Sequence, residues 1–198
     1  MLWPYGVGAP PRSAPACIDR WLPPGARRLE HHSIVVGAEP RAALAAIGAV
    51  RLRDVPIVGA LFTLRGIPHR ADATLLEFFG TSPFLILEEE PGRELVFGVV
   101  GPFWQLRRGR LPPRIPATPA EFRAALAEGR MAAVGNFRVE PTEDGSRLWT
   151  ETWGWVPGSV EATAFTAYWM LVGPFSAWIR RLLLRAGRRG AEAGRVIR

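Results

Sequence analysis

Residues 160–190, VEATAFTAYWMLVGPFSAWIRRLLLRAGRRG, set small or apolar side chains at spacings of three and four: Ala162, Phe165, Trp169, Val172, Ser176, Ile179, Leu183 and Ala186. One continuous stripe of this kind describes a long helix burying one face against another layer. Gly173-Pro174 is expected to bend it midway. Ala162 to Ile179 carries no charge over 18 residues. That is the lower limit for a membrane span. Two Thr, one Ser and the internal Gly-Pro lower its hydrophobicity, so it reads as a buried core helix. Met170, Leu171, Phe175 and Trp178 fall off the main stripe and need a second cover. The candidates are a dimer partner, the N-terminal segment with Trp3 and Trp21, or a membrane surface.

Upstream of this helix the pattern is mostly β. His31 to Val36 is a short strand ending at Gly37. Pro40 opens a first short helix and Pro56 a second, closed by Gly66 and Pro68. Phe84 to Glu89 and Leu95 to Val100 are strands joined through Glu90-Pro91-Gly92-Arg93, with Pro and Gly at the centre of a type II turn. Thr118-Pro119-Ala120-Glu121 is a helix start, with Thr118 as cap and Glu121 placed to reach back. Met131 to Val139 is a strand with Met131, Ala133, Gly135, Phe137 and Val139 on one face. Asp144-Gly145 is a hairpin turn signal, and Leu148 to Val156 is the last strand. The order implies an α+β fold: a curved antiparallel sheet wrapped around the long C-terminal helix, with two short helices after the first strand. Residues 1–28 read as an irregular tail, 29–193 as a single domain and 194–198 as a C-terminal tail.

Composition narrows the functional classes. The 198 residues are 48% hydrophobic and 22% charged, as in a globular chain. The single cysteine, Cys17, excludes a disulfide framework and a thiolate zinc site. All 25 basic residues are Arg, which reads as GC-rich coding bias, and the net charge is +7. Seven Arg against one Glu lie from Pro174 onward, so the rest is close to neutral. Those Arg cluster at a helix end, where they complement the helix dipole; a nucleic-acid binder would instead line a groove or recognition face. A second cluster, Arg107, Arg108, Arg110 and Arg114, sits in a Pro/Gly-rich loop. His31 and His32 point to opposite faces of a strand and His69 is distant, so no metal site is expected. Met1 to Gly6 lacks a basic start and a sustained apolar run, so a signal peptide is not expected and a cytoplasmic location is.

The strand 148–156 carries the most chemistry. Trp149, Glu151, Trp153 and Trp155 share one face. Three Trp in water would form a large apolar patch, so that face is expected to point inward. Glu151 then sits among aromatic rings as a candidate acid/base or polar anchor. The plain alternatives are a structural ion pair with Arg65, Arg93 or Arg138, or a different strand orientation that leaves Glu151 exposed.

Several stretches carry a family resemblance. They are His32 to Val36 leading into Ala38-Glu39-Pro40, Leu95 to Trp104, Gly135 to Val139 and Leu148 to Thr152. The final helix adds Tyr168-Trp169, Pro174-Phe175-Ser176 and Ile179-Arg180-Arg181. Over roughly 19–193 the chain resembles the START-like (SRPBCC) superfamily. This is the helix-grip fold of lipid-transfer START domains, birch-pollen-type plant allergens and bacterial polyketide cyclases. The resemblance implies a deep cavity between sheet and helix, which in relatives holds lipids, sterols, polyketides or other apolar molecules. It implies no shared catalytic motif.

Phe97, Phe103, Trp104, Phe137, Trp153, Phe165 and Trp169 would suit such a pocket, with Asn136, Gln105 and Glu151 as polar groups. Three functions follow as expectations. The first is binding of a small apolar ligand without cofactor. The second is a cyclase or aromatase using Glu151 on a polyketide-like substrate. The third is a membrane-surface or protein-interaction module in which Arg180, Arg181, Arg185, Arg188 and Arg189 meet anionic lipid.

Overall fold

A computed structural model describes residues 15–64, 66–81, 83–101 and 115–196. Among these, the strands are β1 (Arg27–Val36), β2 (Leu85–Glu90), β3 (Glu94–Val100), β4 (Ala132–Thr142) and β5 (Gly145–Trp155). They form one antiparallel sheet in the order β1-β5-β4-β3-β2. Helices α1 (Pro40–Gly48), α2 (Pro56–Leu64) and α3 (Leu75–Phe79) lie between β1 and β2. Helix α4 (Pro119–Ala127) lies between β3 and β4, and α5 (Ser159–Val196) closes the chain. The fold is α+β, an antiparallel sheet with a long C-terminal helix.

Local chemistry accounts for most boundaries. Gly92 adopts φ +75° in the β2–β3 turn, and the Arg93 N–H donates to the Glu90 carbonyl at 2.9 Å. Thr142 pairs with Gly145, which leaves Glu143 and Asp144 as the β4–β5 loop. A Cβ on Gly145 would stand 2.4 Å from the Val36 carbonyl oxygen, so only glycine fits that crossing. The Thr118 hydroxyl accepts the Glu121 N–H at 3.2 Å and Pro119 takes the first turn of α4. Helix α3 was not expected. Its signal is Thr74-Leu75-Leu76-Glu77, in which Thr74 and Glu77 cap each other reciprocally. Register slips interrupt both outer strands, between Arg28 and Glu30 in β1 and between Ile86 and Glu88 in β2.

The sheet is buried on both faces. On one, Val36, Phe97, Phe137 and Leu148 form a core with Ile47 of α1, Phe78 and Phe79 of α3, and Leu183 and Leu184 of α5. On the other, Val96 and Val134 pack with Phe122 of α4 and with Ile18 and Trp21.

That second layer corrects the expected N-terminal tail. Cys17–Trp21 is a 3-10 helix, and Cys17, Ile18 and Trp21 are buried. The fully buried Glu94 carboxylate accepts the backbone N–H of Cys17 at 2.6 Å and of Ile18 at 3.2 Å. Trp21 Nε1 donates to Glu88 at 2.8 Å, and the Arg123 guanidinium lies 4.0 Å from the Trp21 ring centroid. Trp21 therefore covers the sheet and not α5. Trp3 lies outside the described residues. At the other end α5 runs unbroken through Pro174 and continues to Val196, past the expected stop at Gly190 and into the expected C-terminal tail.

The Cys17 thiol donates to Glu90 at 3.0 Å. Burial first, then that bond and the neighbouring carboxylates, push its pKa up to about 12. At pH 8 the native protein is expected to react with a disulfide reagent far more slowly than the urea-unfolded chain. Equal rates would show that the segment does not dock.

Candidate functional site

Between the α5-facing side of the sheet and helices α2, α3 and α5 lies a cavity of about 540 Å³. The volume falls within the range of about 300–1,000 Å³ common to small-molecule pockets. Its wall is overwhelmingly apolar. Phe62, Phe78, Phe79, Phe84 and Phe97 form an aromatic belt, with Phe79 stacked on Phe97 at 3.6 Å between centroids. Ala133, Gly135 and Thr152 supply the floor, and Trp169, Val172, Ser176, Ile179, Arg180 and Leu183 supply α5's side. Small residues on β4 make the room: a Cβ on Gly135 would meet the Phe97 ring at 2.8 Å. Leu64, Leu171 and Phe175 line the cavity and are also exposed, which marks its mouth.

One end of the cavity is polar. Arg180 is nearly buried, with its guanidinium carbon 5.4 Å from the Phe97 ring centroid and 5.9 Å from that of Phe137. Its Nη1 donates to the Thr150 hydroxyl at 3.3 Å, and its Nε lies 3.7 Å from Glu30 Oε1. Ser176 donates to the same Glu30 oxygen at 2.6 Å, while His32 Nε2 lies 3.3 Å from the other. Burial pushes the Glu30 carboxyl upward, but His32, Arg180 and Ser176 together outweigh it and hold it below the usual range. Burial draws Arg180 below the ordinary arginine value, and the Glu30 charge opposes that.

No family model matches this chain, and no curated protein does. Among solved structures, the chain is similar to protein MLL2253 from Mesorhizobium loti. That likeness covers 83% of this chain and 97% of the other, at 12% identity and a TM-score of 0.38.

The structure sorts the expected site residues. Phe97 and Trp169 line the cavity. Phe137 packs behind Phe97 at 5.7 Å, and Phe165 packs on Leu29 and Trp169 without reaching the wall. Phe103, Trp104 and Gln105 lie outside the described residues, as does the Arg107–Arg114 cluster. Glu151, Asn136 and Trp153 belong to the opposite face of the sheet: Trp149 and Glu151 are buried as expected, but their face turns away from the cavity. Glu151 is 1% exposed there, between Arg28 at 3.5 Å and His31 at 3.6 Å, and accepts the Trp153 indole N–H at 3.1 Å. Asn136 accepts the Glu151 backbone N–H at 2.8 Å and donates to Glu94 at 2.7 Å.

The expectation failed because it allowed the sheet one buried face. The Trp rings are covered from outside the main core instead. His31 stacks on Trp149 at 5.0 Å, Arg147 stands 5.7 Å from Trp149, and Arg28 stands 5.9 Å from Trp153. The ion-pair alternative has the right character but other partners. Arg93 pairs with Glu90 and Arg138 with Glu140, while Arg65 is outside the described residues.

Glu30, His32, Thr152 and Arg180 were missed. Strand alternation places Glu30 and His32 on one face, and Arg180 lies four residues after Ser176 on the buried stripe.

A carboxyl held below its unfolded value stabilises the fold when ionised and stops doing so as pH falls through its folded value. Stability is therefore expected to fall from about pH 4.3 downward. Glu30→Gln should cost about 3 kcal/mol at pH 7 and flatten that decline. Thermal melts from pH 3 to 7 check this; parallel curves for variant and wild type would remove Glu30 from the account.

Proposed function

We propose that this chain binds a small apolar ligand, lipid-like or polyketide-like, between the sheet and α5, in the helix-grip manner of the START-like (SRPBCC) proteins it resembles. The observation that carries the reading is the cavity itself: a Phe-belted space of about 540 Å³ with an exposed mouth and a polar end. Packed interiors leave few voids larger than a water molecule, so a space this large is the natural seat of a guest. Cyclase chemistry through Glu151 has no support, because that carboxylate lies on the other face of the sheet. Behind the polar end, Glu30 and His32 are bonded to each other at 3.3 Å.

Native mass spectrometry of the protein purified from its source should find co-purified apolar mass. Ala133→Trp, which fills the floor, should retain a cooperative melt and lose that mass. A filled variant that carries the same mass would place the guest elsewhere.

One further observation favours a second reading, peripheral contact with an anionic membrane. Met170, Leu171, Phe175 and Trp178 remain exposed on α5. Further along the same exposed face stand Arg181, Arg185 and Arg189. An apolar strip continued by cations suits an anionic bilayer surface. Arg180 does not join these cations, because it lies at the cavity beside Glu30. Among the described residues no helix is long and apolar enough to cross a membrane. Flotation with phosphatidylserine-containing vesicles should carry the protein upward at low salt and release it at high salt. Leu171→Ser with Trp178→Ser should abolish flotation. A wild type that never floats would end this reading.

A further inference from the structure

We infer that the guest enters under a gate made by the first turns of α5, residues 159–172, which swing as one rod between two glycine-proline joints. The inference rests on the cavity reading above. The joints are Pro157-Gly158 and Gly173-Pro174. Gly158 holds φ +92°, a left-handed conformation that glycine adopts freely. Pro174 has no N–H to donate to the Met170 carbonyl, so the helical ladder lacks a rung there. Between the joints the chain carries neither Gly nor Pro.

The two sides of the second joint are held very differently. Beyond it, Ala177, Leu183, Leu184, Ala186 and Ala191 are buried. A Cβ on Gly187 would stand 2.8 Å from the Ile47 side chain of α1, so the two helices meet almost at backbone distance. Ser176 and Arg180 tie the same stretch to Glu30. Before the joint, the buried side chains among the described residues are Phe165 and Trp169. They sit in a small cluster with Leu29, apart from the main core. A segment with few buried apolar contacts is the first to open.

The loosely held rod is also a wall. Tyr168, Trp169, Leu171 and Val172 line the cavity. Across the mouth, Phe62 of α2 stacks on Phe78 at 4.9 Å within the main core. Lifting α2 would break that core, whereas lifting the rod breaks the small Leu29 cluster and uncovers the cavity along its side. A gate of this kind sets how fast a guest passes and leaves the closed complex unaltered.

Pro174→Ala tests the joint. Pro174 is exposed, so the alanine has room. It restores an N–H to the ladder and couples the rod to the fixed half of α5, and Tm should hold or rise. Stopped-flow mixing with Nile red should show association and dissociation both several-fold slower in the variant, at unchanged equilibrium affinity. In the wild type, the amides of residues 160–172 should exchange hydrogen together and faster than those of 176–191, and bound Nile red should slow the first group. Unchanged dye rates in a folded variant, or equal exchange along the whole of α5, would overturn the gate and leave the cavity reading standing. A wild type that binds no Nile red would overturn both.

Discussion

The Glu30 carboxylate ties the first strand to the last helix. Ser176, 146 residues away in sequence, donates to it, and Arg180 one turn later sets a positive charge beside it. A charge taken so far from water stays ionised only when its neighbours replace what water supplied. Here they do so from two elements that the chain makes at opposite ends. The same contact keeps Arg180 within reach of Phe97, Phe137 and Thr150. The apolar belt and the polar end of the cavity thus share one fixed point.

The opposite face of the sheet repeats the device. Glu94, fully buried, receives two backbone N–H groups from the 3-10 helix at Cys17–Trp21 and a side-chain bond from Asn136. Asn136 in turn orders the backbone of β5 next to Glu151. One face therefore holds a cavity of about 540 Å³ walled in part by α5, and the other a close-packed layer closed by the N-terminal segment. The sheet between them needs hydrophobic or paired polar residues at nearly every position, and β3 is buried at all of its own.

Much of this was legible in the sequence. Period-two alternation located the strands and correctly placed Ala133, Gly135 and Phe137 on a common face. The three-four spacing located α5 and the residues it turns inward. Turn and cap chemistry fixed the β2–β3 and β4–β5 connections and the start of α4. What failed was direction. Alternation says which side chains share a face and not which way the face looks, and a Trp is as well covered by His31, Arg28 and Arg147 as by a core. Glu30 and Arg180 were hidden for a related reason. Each is a charge in a run that also reads as a solvated end, and only the meeting of β1 with α5 turns both inward. The 3-10 helix was missed because five residues are too few to show a period.

The slips of register in β1 and β2 bear on how copies of this molecule meet. Both are the outer strands of the sheet. Arg27 and Arg28 precede the irregularity in one, and Glu88, Glu89 and Glu90 follow it in the other. A bulged, charged margin offers no straight ladder for an incoming strand to extend. The sheet thereby ends at its own borders, and crowding alone gives it little means of growing into a fibre.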